Sequence, residues 1–222
     1  MLLAKLLPQR VLSQQARKPS GFIGRFLMSN IFKKGNNDLN CFVEEVLKLQ
    51  PSSHVLEIGF GPGKLISMMA LTTTEGHVEG IDFSETMLDE AVRLNRQYIS
   101  SNRVRIQKGD CRKLTYKDNT FDKVCSVNTL YFWNPPEIYL SEIFRVLKPG
   151  GNLVLGIRDS EQMDKLPLDK NIFSTYSLKE AVDLVSKAGF LDAHVQEKSG
   201  TSLNSYCVVG TKALVKTGTQ LE

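Results

Sequence analysis

His54-Val-Leu-Glu-Ile-Gly-Phe-Gly-Pro-Gly63 joins a short aliphatic run to a turn with glycine at every second position. A brief apolar run closed by turn residues predicts a buried strand, here over 54–59. Gly59, Gly61 and Gly63 allow a sharp turn in which backbone approaches a ligand with no Cβ in the way. Leu65, Ile66, Met68 and Met69 then open a helix over 64–70, whose free N–H groups lie behind the turn. Strand, glycine turn and helix in this order predict a parallel α/β sheet that binds a ligand at its carboxyl edge. A dinucleotide fingerprint would need glycine at position 64, where Lys64 stands.

Reading outward, the same alternation continues. Leu39, Phe42, Val43, Val46 and Leu47 share one face of a helix expected over 38–49. Further strands are expected at 77–82, 104–110, 121–128 and 152–159, and a closing pair at 191–198 and 206–212. Ser84 caps a helix reaching about residue 98, and Ser177-Leu-Lys-Glu180 is a capping box for a helix stopped by Gly189. Asn134 and Pro135 read as the N-cap and first turn of a helix that runs to Lys148-Pro-Gly150. Asp82, Asp110 and Asn128 fall at the ends of strands two, three and four, beside the glycine turn. A carboxylate at position 82 suits a ribose diol, because it accepts two hydrogen bonds. Taken singly, Asp110 would serve equally as a turn cap and Asn128 as a strand-end turn former.

Composition bounds the rest. The chain has 222 residues, 41% hydrophobic and 23% charged, which excludes disordered and fibrous classes. No stretch approaches the roughly 20 apolar residues of a membrane span. Cys41, Cys111, Cys125 and Cys207 are scattered, so neither a disulfide framework nor a zinc knuckle fits, and no metal is expected. A cytoplasmic setting follows from that cysteine usage. The net charge of +4 divides unevenly: residues 1–37 hold seven basic and no acidic side chains, the remainder 21 basic against 24 acidic. We therefore expect a basic N-terminal arm over 1–37, one domain over 38–216 and a polar tail over 217–222. A solvated arm that packs on the body is the simplest reading; an interfacial helix touching an anionic membrane, an organellar transit peptide or a nucleic-acid arm are the sharper ones.

Leu56-Glu-Ile-Gly-Phe-Gly-Pro-Gly63, the Gly-Ile-Asp segment ending at Asp82, Lys-Gly-Asp ending at Asp110, and Arg145-Val-Leu-Lys-Pro-Gly-Gly-Asn-Leu-Val-Leu155 resemble the motifs of class I S-adenosylmethionine-dependent methyltransferases. The likeness is to the small-molecule subgroup related to ubiquinone and menaquinone biosynthesis enzymes. It implies a seven-stranded sheet of order 3-2-1-4-5-7-6 with the last strand antiparallel, and S-adenosylmethionine as cofactor. It also implies that Glu57, Gly59, Phe60, Gly61 and Gly63 line the methionine and ribose part. Asp82 would hold the ribose hydroxyls, Phe83 and Met87 the adenine, and Asp110 with the Cys111 N–H its amino group. Asn128 would lie near the sulfonium. Tyr131 and Trp133, from the aromatic segment after strand four, are the acceptor-pocket candidates, with Asn128 and Tyr131 as positioning residues. Phe22 and Phe26 join that pocket if the arm closes as a lid over residues 18–32.

Asn134-Pro-Pro136 looks superficially like the motif of methyltransferases acting on exocyclic or amide nitrogens, but it stands six residues beyond Asn128 and lacks the following aromatic. A nucleic-acid substrate is therefore not expected, nor an obligate protein partner. The expected activity is methyl transfer to a small, partly apolar acceptor by in-line displacement. A cofactor-binding module without catalysis and an NAD-dependent oxidoreductase are the alternatives from other classes.

Overall fold

The computed structural model describes residues 7–21, 23–24, 36–200 and 203–214. Within them, β1 (His54–Ile58), β2 (His77–Asp82), β3 (Val104–Lys108), β4 (Phe121–Val127), β5 (Leu147–Ile157), β6 (Leu191–Lys198) and β7 (Ser205–Thr211) form one seven-stranded sheet. Its order is β3-β2-β1-β4-β5-β7-β6, the order the motifs imply. β1 to β5 pair in parallel, while β7 runs antiparallel to both β5 and β6.

Two apolar layers sandwich the sheet because successive strand side chains point to opposite faces. On one face Val55, Cys125 and Val154 meet α2 (Asn37–Leu47), α3 (Lys64–Thr72) and α4 (Glu85–Leu94). On the other, Leu56, Val124 and Leu155 meet α6 (Pro136–Val146) and α8 (Leu178–Lys187). The remaining helices are α1 (Gln9–Arg17), α5 (Arg96–Ser100) and α7 (Ser160–Asp164). Within the basic arm, Gln9–Arg17 forms a helix whose bounds the sequence reading did not give, and it is tied to the body. The Asp169 N–H donates to Ser13 Oγ at 3.0 Å, and Gln9 Nε2 donates to the Leu168 carbonyl.

Three element boundaries differ from the sequence reading, each for a local reason. The helix expected from Ser84 to about residue 98 breaks at Asn95, whose amide donates to the Ala91 and Gly63 carbonyls and draws the chain inward. Asn134 is not the N-cap of α6; Pro135 takes that position and the helix starts at Pro136. Leu147-Lys-Pro-Gly-Gly151 is not a helix stop followed by a turn. It already belongs to β5, with Leu147 opposite Phe121 and a bulge before Lys123 meets Asn152.

No helix long and apolar enough to cross a membrane occurs among the described residues. The expected pocket residues Phe22 and Phe26 lie outside the described residues, as does most of the expected lid and the polar tail.

Leu140 sits on the inner face of α6 with no exposed surface. Leu140→Ala should cost about 2–5 kcal/mol in urea unfolding, from lost transfer energy plus the cavity left behind. Leu71→Ala, on a side chain 66% exposed, should change stability by less than about 0.5 kcal/mol.

Candidate functional site

The glycine turn after β1 sets the geometry of the carboxyl edge. Gly59 holds φ at +72°, a left-handed conformation, and a Cβ there would stand 2.4 Å from Thr129 Cγ2. Gly63 is also left-handed, with φ +77°, and caps α3. A Cβ on it would meet Ala91 Cβ and Asn95 Nδ2, each at 2.7 Å. That packing gives Gly63 a role different from the one expected: it seats the turn on α4 and does not border the cavity below. Gly61 faces the other way, and its N–H donates to Asp82 Oδ2 at 2.9 Å.

Asp82 thus holds the turn against the end of β2. Its other oxygen accepts from the Ser84 N–H at 2.8 Å, and Ser84 Oγ in turn accepts from the Met87 N–H to cap α4. Burial raises the Asp82 pKa, with the N–H groups of Ser84, Gly61 and Phe83 pulling it back. Glu57 beside it has fewer partners. It is buried, its Oε2 has no hydrogen-bond partner, and its pKa is raised well above the ordinary 4.5. Burial is the larger cause and the neighbouring Asp82 charge the second, partly offset by the Ile66 N–H. An orphaned buried acceptor is costly unless a ligand brings donors to it.

A cavity of about 560 Å³ opens over this pair. Ten of the eleven expected cofactor residues border it: Glu57, Gly59, Phe60, Gly61, Asp82, Phe83, Met87, Asp110, Cys111 and Asn128. Asp110 is half exposed and held by the guanidinium of Arg112, which lowers its pKa. The Cys111 thiol is pushed up to about 12, first by burial and then by the Asp110 charge, so it stays protonated at neutral pH. Asn128 ends β4 in a left-handed conformation at φ +54°, and its Nδ2 donates to Asn36 Oδ1 at 3.0 Å.

Tyr131 and Trp133 border the same cavity but differ in setting. The buried Tyr131 hydroxyl accepts from the Arg158 N–H and donates to the Arg158 carbonyl at 3.0 Å. The Asn128 Oδ1 lies further off, at 3.3 Å, and a hydroxyl has one proton to give. Burial raises the Tyr131 pKa, so the hydroxyl is a strut between β4 and β5 and not a base. Trp133 stacks on Tyr139, with centroids 5.3 Å apart and planes within 5°, on the side of Cys111 and Arg112.

Several bordering residues escaped the sequence reading. Asn36 and Asn40 look like ordinary polar positions at a helix start, yet Asn40 is buried and both border the cavity. Tyr139 hides within an amphipathic helix. Arg158 follows β5 directly, so strand-end logic of the kind applied to Asp82 would have found it. Ala16, Arg17 and Pro19 reach the cavity because α1 crosses from the loop at Leu168 to the start of α4, where Ser84 Oγ donates to the Pro19 carbonyl at 2.6 Å. Among the described residues no group of three or more His, Cys, Asp or Glu side chains is arranged to hold a metal ion.

The buried Glu57 has a thermodynamic signature. Because its folded pKa is raised, its stabilising contribution is fully present below the ordinary value of 4.5 and is lost as pH rises through the folded value. In the ligand-free protein, Glu57→Gln should therefore melt close to wild type at pH about 4.5 and above it at neutral pH, by about 1–3 kcal/mol. Thermal melts of both proteins across that window measure the difference, and any slope remaining in the variant includes the part owed to Asp82.

Comparison with known proteins agrees with this geometry. Residues 55–151, which run from β1 to the glycine pair in β5, match a family model described as a methyltransferase domain. The chain is 30% identical over 177 residues to YdaC, an uncharacterized methyltransferase of Bacillus subtilis, covering 80% of this chain and 93% of that protein. It is 35% identical over 149 residues to a demethylmenaquinone methyltransferase of Lactiplantibacillus plantarum, covering 67% of this chain and 60% of the relative. The fold is shared with a solved S-adenosylmethionine-dependent methyltransferase from Aquifex aeolicus at a TM-score of 0.68 and 24% identity, over 84% of this chain and 98% of that one. A glycine turn clamped by a strand-end aspartate, in a sheet of this order and among these relatives, makes the chain a member of the class I S-adenosylmethionine-dependent methyltransferase family.

Proposed function

We propose that the chain methylates a small, partly apolar acceptor, with S-adenosylmethionine along the β1–β3 part of the cavity and the acceptor against the β4–β5 part. The observation that carries this is the pair of buried carboxylates, above all the Glu57 oxygen left without a donor. A cofactor with an ammonium group and hydroxyls supplies what that oxygen lacks. Asp82 has accepted one N–H on each oxygen and keeps further lone pairs for a diol. Phe60 and Met87 offer buried apolar surface and Phe83 a partly exposed ring, as an aromatic base requires. Asp110 can exchange part of its Arg112 contact for an exocyclic amine.

When bound, S-adenosylmethionine supplies a methyl group already activated on a positively charged sulfur. The chain's own task is then to orient the acceptor and exclude water. Asn128, held by Asn36 and by the strained turn it occupies, presents a fixed amide at the centre of the edge. Phe132 and Phe173 pack at 4.6 Å between centroids and form a dry wall beside it. Neither Tyr131 nor Cys111 is placed to take a proton near neutral pH, because burial keeps both protonated. This favours acceptors whose nucleophilic atom needs no base from these two groups.

Calorimetry with S-adenosylmethionine, S-adenosylhomocysteine and NAD tests the reading: the first two should bind and NAD should not. Asp82→Ala should weaken S-adenosylhomocysteine by about 1.5–3 kcal/mol in a protein that still folds; unchanged affinity would remove Asp82 from the cofactor site. The chain's one tryptophan, Trp133, borders the cavity, so cofactor titration should change its emission. Trp133→Phe should abolish the signal while calorimetry still detects binding.

A further inference from the structure

The start of α2 is left open where it meets the cavity. Asn36, its N-cap residue, makes no capping bond with its side chain; the Oδ1 accepts from Asn128 Nδ2 at 3.0 Å instead. The Asn36 Nδ2 group therefore keeps two protons to give. The N–H groups of Asn37, Asp38 and Leu39 find no acceptor among the described residues either. One turn on, Asn40 shares the helix face of Asn36 and borders the cavity with it. Asn40 is only 7% exposed, yet its side-chain amide has no hydrogen-bond partner among the described residues. A buried amide without partners carries the same kind of cost as the lone oxygen of Glu57, unless a ligand completes it.

Glu57 and Asn40 belong to the same layer of the molecule. The Glu57 carboxyl accepts from the Ile66 N–H and lies near Cys125, and both of those residues pack in the layer that holds Leu39 and Val43 of α2. In the β1–β4 ladder Glu57 stands opposite Cys125. Asn128, the partner of Asn36, follows three residues further along the chain, a rise of about 10 Å. The reach of one carboxyl side chain and one amino-acid group covers that distance. On one face of the sheet the cavity thus presents an acceptor that lacks donors and amides that lack acceptors. The cations that border it are placed or engaged elsewhere: Arg17 adjoins Pro19 at the Ser84 end, Arg112 pairs with Asp110, and Arg158 has contacts of its own. Lys64, exposed at the first position of α3, is the remaining competitor for an anion.

We propose that the start of α2 is the carboxylate half of a site for an amino-acid group: Asn40, Asn36 and the first-turn N–H groups receive the α-carboxylate of S-adenosylmethionine, while Glu57 receives its ammonium. The proposal rests on the reading of the cavity given above and gives a task to residues outside the glycine turn and the strand ends. An α-amino acid carries opposite charges on one carbon, so a ligand whose ammonium meets Glu57 delivers an anion a few ångströms away. A helix N-terminus with free N–H groups suits that anion. Asp38, the one acid in the first turn, is exposed. Neutral amides also keep the empty site open. A lysine or arginine at position 40 would form an ion pair with Glu57 in the absence of ligand, whereas asparagine forms none. Asn40 is thereby a specificity residue, separating the complete amino-acid tail from nucleosides that have lost part of it.

The test titrates three nucleosides by calorimetry into the full chain: S-adenosylhomocysteine, its decarboxylated form, which keeps the amine, and methylthioadenosine, which lacks both charged groups. Wild type should bind S-adenosylhomocysteine at least about tenfold tighter than the decarboxylated form, the scale of one hydrogen bond to a charged group. Asn40→Leu, of similar volume, should remove about tenfold of S-adenosylhomocysteine affinity and leave the other two ligands within about twofold. Asn40→Asp should weaken S-adenosylhomocysteine further while sparing or favouring the decarboxylated amine, a change of sign that a packing role would not produce. Without ligand, Asn40→Leu should melt at or above wild type, because an unsatisfied amide has given way to apolar surface. The same melts establish that each variant is folded, and Asn40→Ala serves should the leucine variant fail to fold. Lys64→Met should leave the preference in place. A wild type indifferent to the carboxylate would overturn the proposal. So would a folded Asn40→Leu variant that loses nothing or loses both amines equally, or a preference that Lys64→Met abolishes. Methylthioadenosine binding with no carboxylate preference would strike this assignment alone; failure of all three nucleosides to bind would remove the proposed function and this assignment with it.

Discussion

Two carboxylates buried side by side at the ends of adjacent strands are the constraint around which the rest of this molecule is arranged. Asp82 is made tolerable by N–H groups from the glycine turn and from the start of α4. Satisfying that one side chain therefore fixes the path of the chain after β1 and the point where α4 begins. Glu57 receives no comparable set of donors, and the ligand-free fold carries that cost. The arrangement stores affinity as apo-state instability: whatever brings donors to Glu57 stabilises the fold by relieving it.

A second constraint lies on the other side of the sheet. The connection from β3 to β4 contains no helix, and one arginine holds much of it in place. Arg145 donates to the carbonyls of Leu114 and Tyr116, to Asp118 and to Glu142, while Glu142 accepts from the Leu114 N–H. Asp110, Cys111 and Arg112 ride on the first part of that loop, so the β3 side of the cavity depends on a residue that never reaches it. The Arg145 motif in the sequence reads as a mark of the fold; the structure gives it a physical task.

How much was legible follows from how local each cause is. The strand spans, the capping box at Ser177 and the three strand-end positions at 82, 110 and 128 rest on nearby residue patterns and were read directly, while the strand order came with the likeness of the motifs to a known family. The break at Asn95 was not, because its partner Gly63 lies 32 positions earlier. The early start of β5 at Leu147 depends on pairing with Phe121, and lysine, proline and glycine in sequence say turn when read alone. Trp133 borders the cavity, as does Tyr139, on which it stacks and whose contribution only the packing of α6 discloses. Helix α1 was obscured by its charge: seven basic residues over 1–37 suggest solvent, while Ser13 on its inner side is 1% exposed.

Asn95 has a bearing on protein engineering. The asparagine is fully buried, and by gripping the Gly63 carbonyl at 3.0 Å it couples the bend of the glycine turn to the place where α4 gives way to α5. The turn is thus not a self-contained cassette. Transplanted into another sheet with only its flanking strand and helix, it would arrive without the side chain that holds its last corner. The smallest portable unit spans both βα repeats.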